Sequence, residues 1–260
     1  MIVKVPTRHE ELTLLIKVFT DKPTKIRIKV LDEAQPDTSF TDRFKTVDGE
    51  STFYVRMPVS PKDALVYIYN EENGNLLKGQ DETFEVESIT KAPLEKKLDV
   101  IDFSNPDVRN FVNFATRFSY NAGSLPSGTY VSDDRRFVIK YLPLIEDNGV
   151  EQTTPARIDI TNGNIEISKK QFIKFTVPNR MAILLHEFAH VYLNDNVDDE
   201  VEADLNSLLI YLGLGYPRID AFEVFAKTFM NAPTEQNQDR YNKIKNFIDN
   251  FENHNTYLYD

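Results

Sequence analysis

Residues 181–192 read MAILLHEFAHVY, and this stretch decides how the second half of the chain is interpreted. Its large apolar side chains recur at intervals of three and four residues, at Met181, Leu184, Leu185, Phe188 and Tyr192. This spacing predicts an amphipathic α-helix whose apolar stripe packs against a core. A second face of the same helix carries His186 and His190, which stand one turn apart.

The two histidines suit a metal ion, because residues four apart on a helix present their side chains on the same side. Glu187 flanks that side, where its carboxylate can contact a water. The string His-Glu-x-x-His therefore predicts a zinc site with His186 and His190 as ligands and Glu187 as the general base of a hydrolysis. Two alternatives stay open: the histidines lie on a solvated face, or the site once bound metal and now only stabilises a helical hairpin.

A third ligand is expected from the acidic segment that follows. Residues 198–204 read DDEVEAD and open a second helix, which returns antiparallel to the first after a turn near Asn196. Glu200 and Asp204 share a face of this helix, whereas Glu202 is rotated by about 200° from Glu200 and is expected to be solvated. A hydrolytic zinc site takes three protein ligands and one water, and the chain has no cysteine to supply them. Either Glu200 or Asp204 can be the third ligand.

Residues 200–204, EVEAD, resemble the ExxAD element that follows HExxH in gluzincin metallopeptidases, among them membrane-bound prenyl-protein-processing peptidases and repressor-cleaving peptidases of mobile elements. The resemblance covers about residues 178–212. It implies a zincin-like domain that hydrolyses peptide or protein substrates, with Glu200 as the third zinc ligand and Asp204 orienting a histidine ring. Nine residues separate His190 from Glu200, fewer than in those families, so Asp204 is kept as the alternative ligand.

Such a peptidase needs a donor for the developing oxyanion. The nearby hydroxyl groups belong to Tyr192, Tyr211 and Tyr216, and the sequence does not choose among them.

The whole chain is predicted to be α+β and to form two domains. Short apolar segments separated by Pro, Asp and Gly predict an N-terminal β-sandwich over residues 1–90. Its expected strands are Leu12 to Phe19, Lys25 to Leu31, Thr52 to Met57, Leu65 to Asn70 and Thr83 to Val86, with an Asn-Gly turn at residues 71–75. A linker is expected at 89–98, and the metallopeptidase domain at 98–260.

Three local features organise the second domain. Asn105 and Pro106 predict a helix start. The sequence Thr161-Asn162-Gly163-Asn164 predicts a β-hairpin, whose second strand at 164–168 is expected to be an edge strand that binds extended substrate. The metal helix is expected to begin with Asn179 as its N-cap.

Composition narrows the class of partner and the compartment. A formal net charge of −11 argues against a nucleic-acid-binding surface, which would be basic. The first residues lack a basic region followed by an apolar core, and no apolar run reaches about 18 residues, so we expect no signal peptide and no membrane contact. The expected location is cytoplasmic or virion-associated.

A second functional hypothesis follows from the acidic surface and the preceding β-domain. The chain would then be a structural component of a virion or another large assembly that retains a zincin-like domain as a scaffold. In either case, we expect the N-terminal β-domain to bind protein partners.

Overall fold

The computed structural model of this protein describes residues 1–73, 83–231 and 234–253, and it has the predicted α+β composition. Two compact units divide it, Met1–Glu95 and Lys96–Asp260. In the described ranges, no helix combines the length and apolar character needed to cross a membrane. The predicted turn at 71–75 extends into residues that lie outside this description.

The first unit is an antiparallel sheet of five strands. They are β1 (Ile2–Pro6), β2 (Leu12–Asp32), β3 (Ser39–Met57), β4 (Asp63–Asn70) and β5 (Glu85–Pro93). Hydrogen bonding gives the order β1-β4-β2-β3, and β5 pairs with the first half of β2. The two strands predicted at 12–19 and 25–31 are therefore halves of one long strand. The expected linker is also shorter than predicted, because residues 89–93 belong to β5.

The long strands bend sharply in the middle. On β2 the even-numbered apolar residues are completely buried in both halves, and the register slips between Thr20 and Thr24. On β3, the guanidinium of Arg43 donates to the carbonyl of Tyr54, eleven residues away. Eleven extended residues would span about 36 Å, far beyond the reach of an arginine side chain. The β2–β3 ribbon is therefore folded over on itself.

The second unit combines a sheet with a group of helices. Its helices are α1 (Pro106–Asn121), α2 (Lys169–Phe172), α3 (Val177–Tyr192), α4 (Glu200–Gly213), α5 (Arg218–Asn231) and α6 (Glu235–Asn253). Its strands are β6 (Gly128–Val131), β7 (Val138–Leu142), β8 (Glu146–Asp147), β9 (Val150–Glu151), β10 (Ala156–Asp159) and β11 (Asn164–Ser168). The sheet order is β10-β11-β7-β6, and β8 and β9 form a separate small hairpin.

Aromatic packing holds α1 and α3 together. The predicted cap is confirmed, because the side chain of Asn105 accepts from the backbone N–H of Asp107 at the start of α1. Phe111 of α1 stacks on Phe188 of α3, with ring centroids 4.2 Å apart. Stacked and edge-to-face pairs of this kind add about 0.5–1.5 kcal/mol beyond the area they bury. The apolar stripe of the predicted metal helix therefore faces this core.

Two predictions around α3 are wrong. The N-cap is Thr176, whose hydroxyl accepts from the backbone N–H of Asn179, so the helix begins one turn earlier than expected. The predicted edge strand at 164–168 is an inner strand, since β11 pairs with β10 on one side and with β7 on the other. The strand at the edge of the sheet, beside α3, is β10.

Candidate metal centre

The site is built on α3, which a buried arginine anchors. Arg180 is completely buried and donates to the carbonyl groups of Phe172, Ser119 and Ile173. Burial lowers the pKa of Arg180 to about 10, and the three carbonyls supply the hydrogen bonds that a buried cation requires. These hydrogen bonds fix the N-terminal half of α3 to α1 and to the segment around α2. Because the two histidines follow one to two turns later in the same helix, their positions are fixed as well.

The two histidines converge as predicted. Nε2 of His186 lies 3.2 Å from Nε2 of His190. Nδ1 of His190 donates to the carbonyl of Val197 at 2.8 Å, whereas Nδ1 of His186 lies 3.0 Å from Oδ1 of Asp204 without forming an aligned hydrogen bond. The carbonyl of Val197 holds the proton of His190 on Nδ1, and once His186 is neutral with its proton on Nδ1, both Nε2 atoms can offer a lone pair to the shared space.

A short, closed turn joins α3 to α4. Asp199 caps α4 by accepting from the backbone N–H groups of Val201 and Glu202. The carboxylate of Glu202 accepts from the backbone N–H groups of Asp195 and Asn196, so it closes the turn, a role that the expectation of a solvated side chain missed. These hydrogen bonds fix the position of the first residue of α4.

That first residue is Glu200, and it completes a three-residue donor set. Its Oε2 lies 3.5 Å from Nε2 of His186, and its Oε1 lies 3.7 Å from Nε2 of His190. One ligand atom from each of the three residues lies within 4.8 Å of the others. Ligands about 2.0–2.1 Å from a tetrahedral zinc ion stand about 3.3 Å apart. The spacing of the two imidazoles matches this value, whereas the carboxylate presents a different oxygen to each imidazole and must rotate to bring one oxygen close to both.

Asp204, the alternative ligand, sits behind this set. Its side chain is 1% exposed, and it is held by Arg240 of α6 through two contacts, Nε to Oδ2 at 2.8 Å and a terminal nitrogen to Oδ1 at 3.0 Å. The same guanidinium lies 2.9 Å from Oε2 of Glu200. Sequence reasoning missed Arg240: its place four residues before the buried Ile244 puts it on the packed face of α6, but nothing in the sequence names a carboxylate 36 residues upstream as its partner.

The charges in the site are strongly coupled. Burial lowers the pKa of His186, but Asp204 and Glu200 more than reverse this effect and raise the pKa to about 10. The contact with His186 is the main cause that lowers the pKa of Glu200 to about 2, and Arg240 adds to it. Without metal, the site is therefore a network of ion pairs, and a divalent cation that enters must displace the proton of His186.

Glu187 occupies a different environment from the three ligand candidates. Burial raises the pKa of its carboxyl group, and the two histidines and the nearby backbone of Ile158 on β10 partly offset this rise. Hydrogen-bonded and non-hydrogen-bonded pairs alternate along an antiparallel ladder, and the pair of Pro155 and Ser168, three positions away, is hydrogen-bonded, so Ile158 and Ile165 form a non-hydrogen-bonded pair. The N–H and C=O of Ile158 therefore point to the outer edge of the sheet, toward the helix that carries the site.

The hairpin that carries β10 is seated against the end of α3. Gly163 has φ of +70°, and a Cβ atom added there would lie 2.6 Å from Oη of Tyr192. Tyr192 is thus a packing contact of the turn, and Oη of Tyr211 donates to the carbonyl of Pro217. The hydroxyl groups of Tyr192 and Tyr211 therefore contact other parts of the fold, and neither position supports the predicted role as oxyanion donor.

Substitution of Gly163 tests whether the close contact between Gly163 and Tyr192 positions β10. In Gly163→Ala we expect a loss of stability larger than the roughly 1–2 kcal/mol cost of the left-handed backbone alone, because the methyl group also displaces Tyr192. Gly149→Ala is the matched control, since φ is +78° there and nothing lies within 4 Å of the added Cβ. Urea denaturation measures both changes. Equal losses in the two variants, or no recovery in Gly163→Ala/Tyr192→Phe, would refute the contact.

Comparison of the chain with protein-family models, with curated proteins and with solved structures finds no match. The chemistry of the site is therefore inferred from its own residues.

Proposed function

We propose that the second unit, Lys96–Asp260, is a zinc-dependent peptidase with a zincin-like fold. The observation that carries the proposal is the convergence of two imidazole Nε2 atoms, 3.2 Å apart, with the carboxylate of Glu200 from the returning helix. Two histidines and one carboxylate are a donor set that catalytic zinc sites use, with a fourth position left for water.

Zinc bound at this position would polarise a carbonyl group and lower the pKa of a water toward neutrality. Glu187 would then take the proton of that water and return it to the leaving amine. It follows the first ligand directly in sequence and is not part of the ligand set, so its carboxylate is left for proton transfer. The backbone of Ile158 lies close enough to this carboxylate to influence its pKa, so the base and the edge of β10 are neighbours.

An extended peptide is the substrate class that fits the surroundings. The outward-facing backbone groups of β10 stand at the sheet edge beside α3, and such an edge can pair with a peptide main chain. The sequence predicted that β11 binds the substrate main chain, and we now propose β10 for this role. Pairing with the edge would align a substrate beside Glu187, because Ile158 lies in the same strand segment.

Zinc-dependent cleavage tests the proposal. We expect the purified protein to cleave quenched fluorescent peptides from an unbiased library, to lose activity in a chelator, and to regain it with one equivalent of zinc. Stoichiometric zinc binding without cleavage of any peptide or unfolded protein would contradict the peptidase. That outcome would favour the structural role in a virion or another large assembly.

We propose that the first unit is a β-sandwich, the finer form of its observed sheet. Two contacts between the halves of β3 support this. The side chain of Arg43 reaches the carbonyl of Tyr54, and Nζ of Lys45 lies 2.9 Å from the carbonyl of Thr52. They bring the two halves of the bent strand β3 within side-chain reach of each other. A folded-over ribbon of this kind packs one apolar face against itself.

A further inference from the structure

The structure offers two acids for one ligand position, and Arg240 treats them differently. Both oxygens of Asp204 are engaged, Oδ2 by Nε of Arg240, and Oδ1 by a terminal nitrogen of Arg240 and by Nδ1 of His186. In Glu200 the guanidinium contacts Oε2, while Oε1 faces Nε2 of His190. The arginine therefore saturates one carboxylate and restrains the other through a single oxygen.

We infer that Arg240 selects the third metal ligand: it holds Asp204 behind His186 and leaves Glu200 to bind the cation through one oxygen. This inference rests on the proposed zinc site. It names α6 as a third element of the centre, in addition to the two helices that carry the ligands, and it assigns Arg240 as a positioning residue that does not touch the substrate.

The charges explain why Arg240 is needed to keep Asp204 away from the metal position. Asp204 is 1% exposed, and a buried carboxylate without a cation is strongly unfavourable. Without Arg240, Asp204 would gain most by turning toward a divalent cation held by His186, His190 and Glu200. A bidentate guanidinium–carboxylate pair has a fixed geometry that opposes this turn.

Single-oxygen binding by Glu200 has a direct consequence for the open position. A carboxylate that used both oxygens would add a fourth protein ligand and compete with water for the remaining site. Because Arg240 engages Oε2, the two histidines and one carboxylate oxygen make three ligands. The centre then retains the vacancy that a hydrolytic site requires.

Cobalt substitution reads out this coordination independently of activity. Co²⁺ in four-coordinate sites absorbs visible light more strongly than in five- or six-coordinate sites, so extra carboxylate oxygens weaken the bands. The variants are Arg240→Lys, which keeps the charge and loses the fork geometry, and Asp204→Asn/Arg240→Met, which removes both charges and guards against misfolding. Lys243→Met on the same helix is the control, since the half-exposed Lys243 lies 3.0 Å from the exposed carboxylate of Asp239.

We expect Arg240→Lys to weaken the cobalt bands and to lower zinc affinity about 10- to 100-fold, with Lys243→Met unchanged. In Asp204→Asn/Arg240→Met, no rival acid remains, so the bands should return toward those of the wild type. Wild-type bands and affinity in Arg240→Lys would overturn the inference, as would a lower Tm of the metal-free protein with no change at the metal. Failure of the wild type to bind cobalt at all would instead overturn the proposed function.

Discussion

Glu187→Gln is expected to bind zinc as the wild type does and to lose peptide hydrolysis by about 10²- to 10⁴-fold, the usual contribution of a general base. The amide has nearly the same shape as the carboxyl group, so the packing against β10 persists. It cannot accept a proton from water. His186, His190 and Glu200 are untouched by this substitution, which separates the loss of catalysis from the loss of metal.

The matched control for this prediction is Glu146→Gln, which replaces an exposed carboxylate on β8 in the same unit. Steady-state kinetics with a cleaved peptide, together with zinc content by mass spectrometry, checks both variants. Full activity in Glu187→Gln would exclude Glu187 as the base. Loss of zinc from that variant would show instead that Glu187 contributes to binding the metal.

His190→Asn is expected to abolish stoichiometric zinc binding. The asparagine amide can still donate to the carbonyl of Val197, as Nδ1 of His190 does at 2.8 Å, but it offers only a weak metal ligand. At a hundredfold excess over Kd, zinc stabilises the native protein by about 2.7 kcal/mol. That corresponds to a rise in Tm of about 5–10 °C for a domain of this size, which the variant should lack.

His9→Asn is the matched control, because His9 lies in the first unit and asparagine tolerates its φ of 62°. Differential scanning calorimetry with and without zinc measures the shift for wild type and both variants. A zinc-dependent Tm shift of wild-type size in His190→Asn would mean that the metal binds elsewhere.

Local patterns predicted the elements that carry the site. The spacing of apolar residues through Phe188 located the metal helix, and Asn105 marked the start of α1. The turn residues around Gly163 located the hairpin. Each of these signals acts within one or two turns of chain, where side-chain spacing, capping and backbone conformation determine structure directly. The convergence of His186 and His190 belongs to the same class, because a helix enforces it.

Two of the misses arise from contacts between distant segments, and a third, the helix cap, is local. Nothing near Asp204 indicates that Arg240 will pair with it, because that contact depends on how α6 returns to α4. The prediction that β11 is an edge strand was wrong for the same reason. β11 pairs in parallel with β7, and the sequence near β11 does not indicate this long-range contact. Thr176 displaced Asn179 as the cap because the helix extends one turn further, over Val177 and Pro178. Proline is well tolerated in that first turn.

X-ray absorption spectroscopy of the zinc-loaded protein tests the central claim most directly. The site predicts one zinc per chain with two imidazole nitrogens at about 2.0–2.1 Å and a carboxylate oxygen at about 2.0–2.2 Å. In Glu200→Gln the oxygen contribution from protein should fall, while in Asp204→Asn the first shell should stay unchanged. A first shell without two imidazoles, or one that changes with Asp204 and not with Glu200, would contradict the arrangement described for His186, His190 and Glu200.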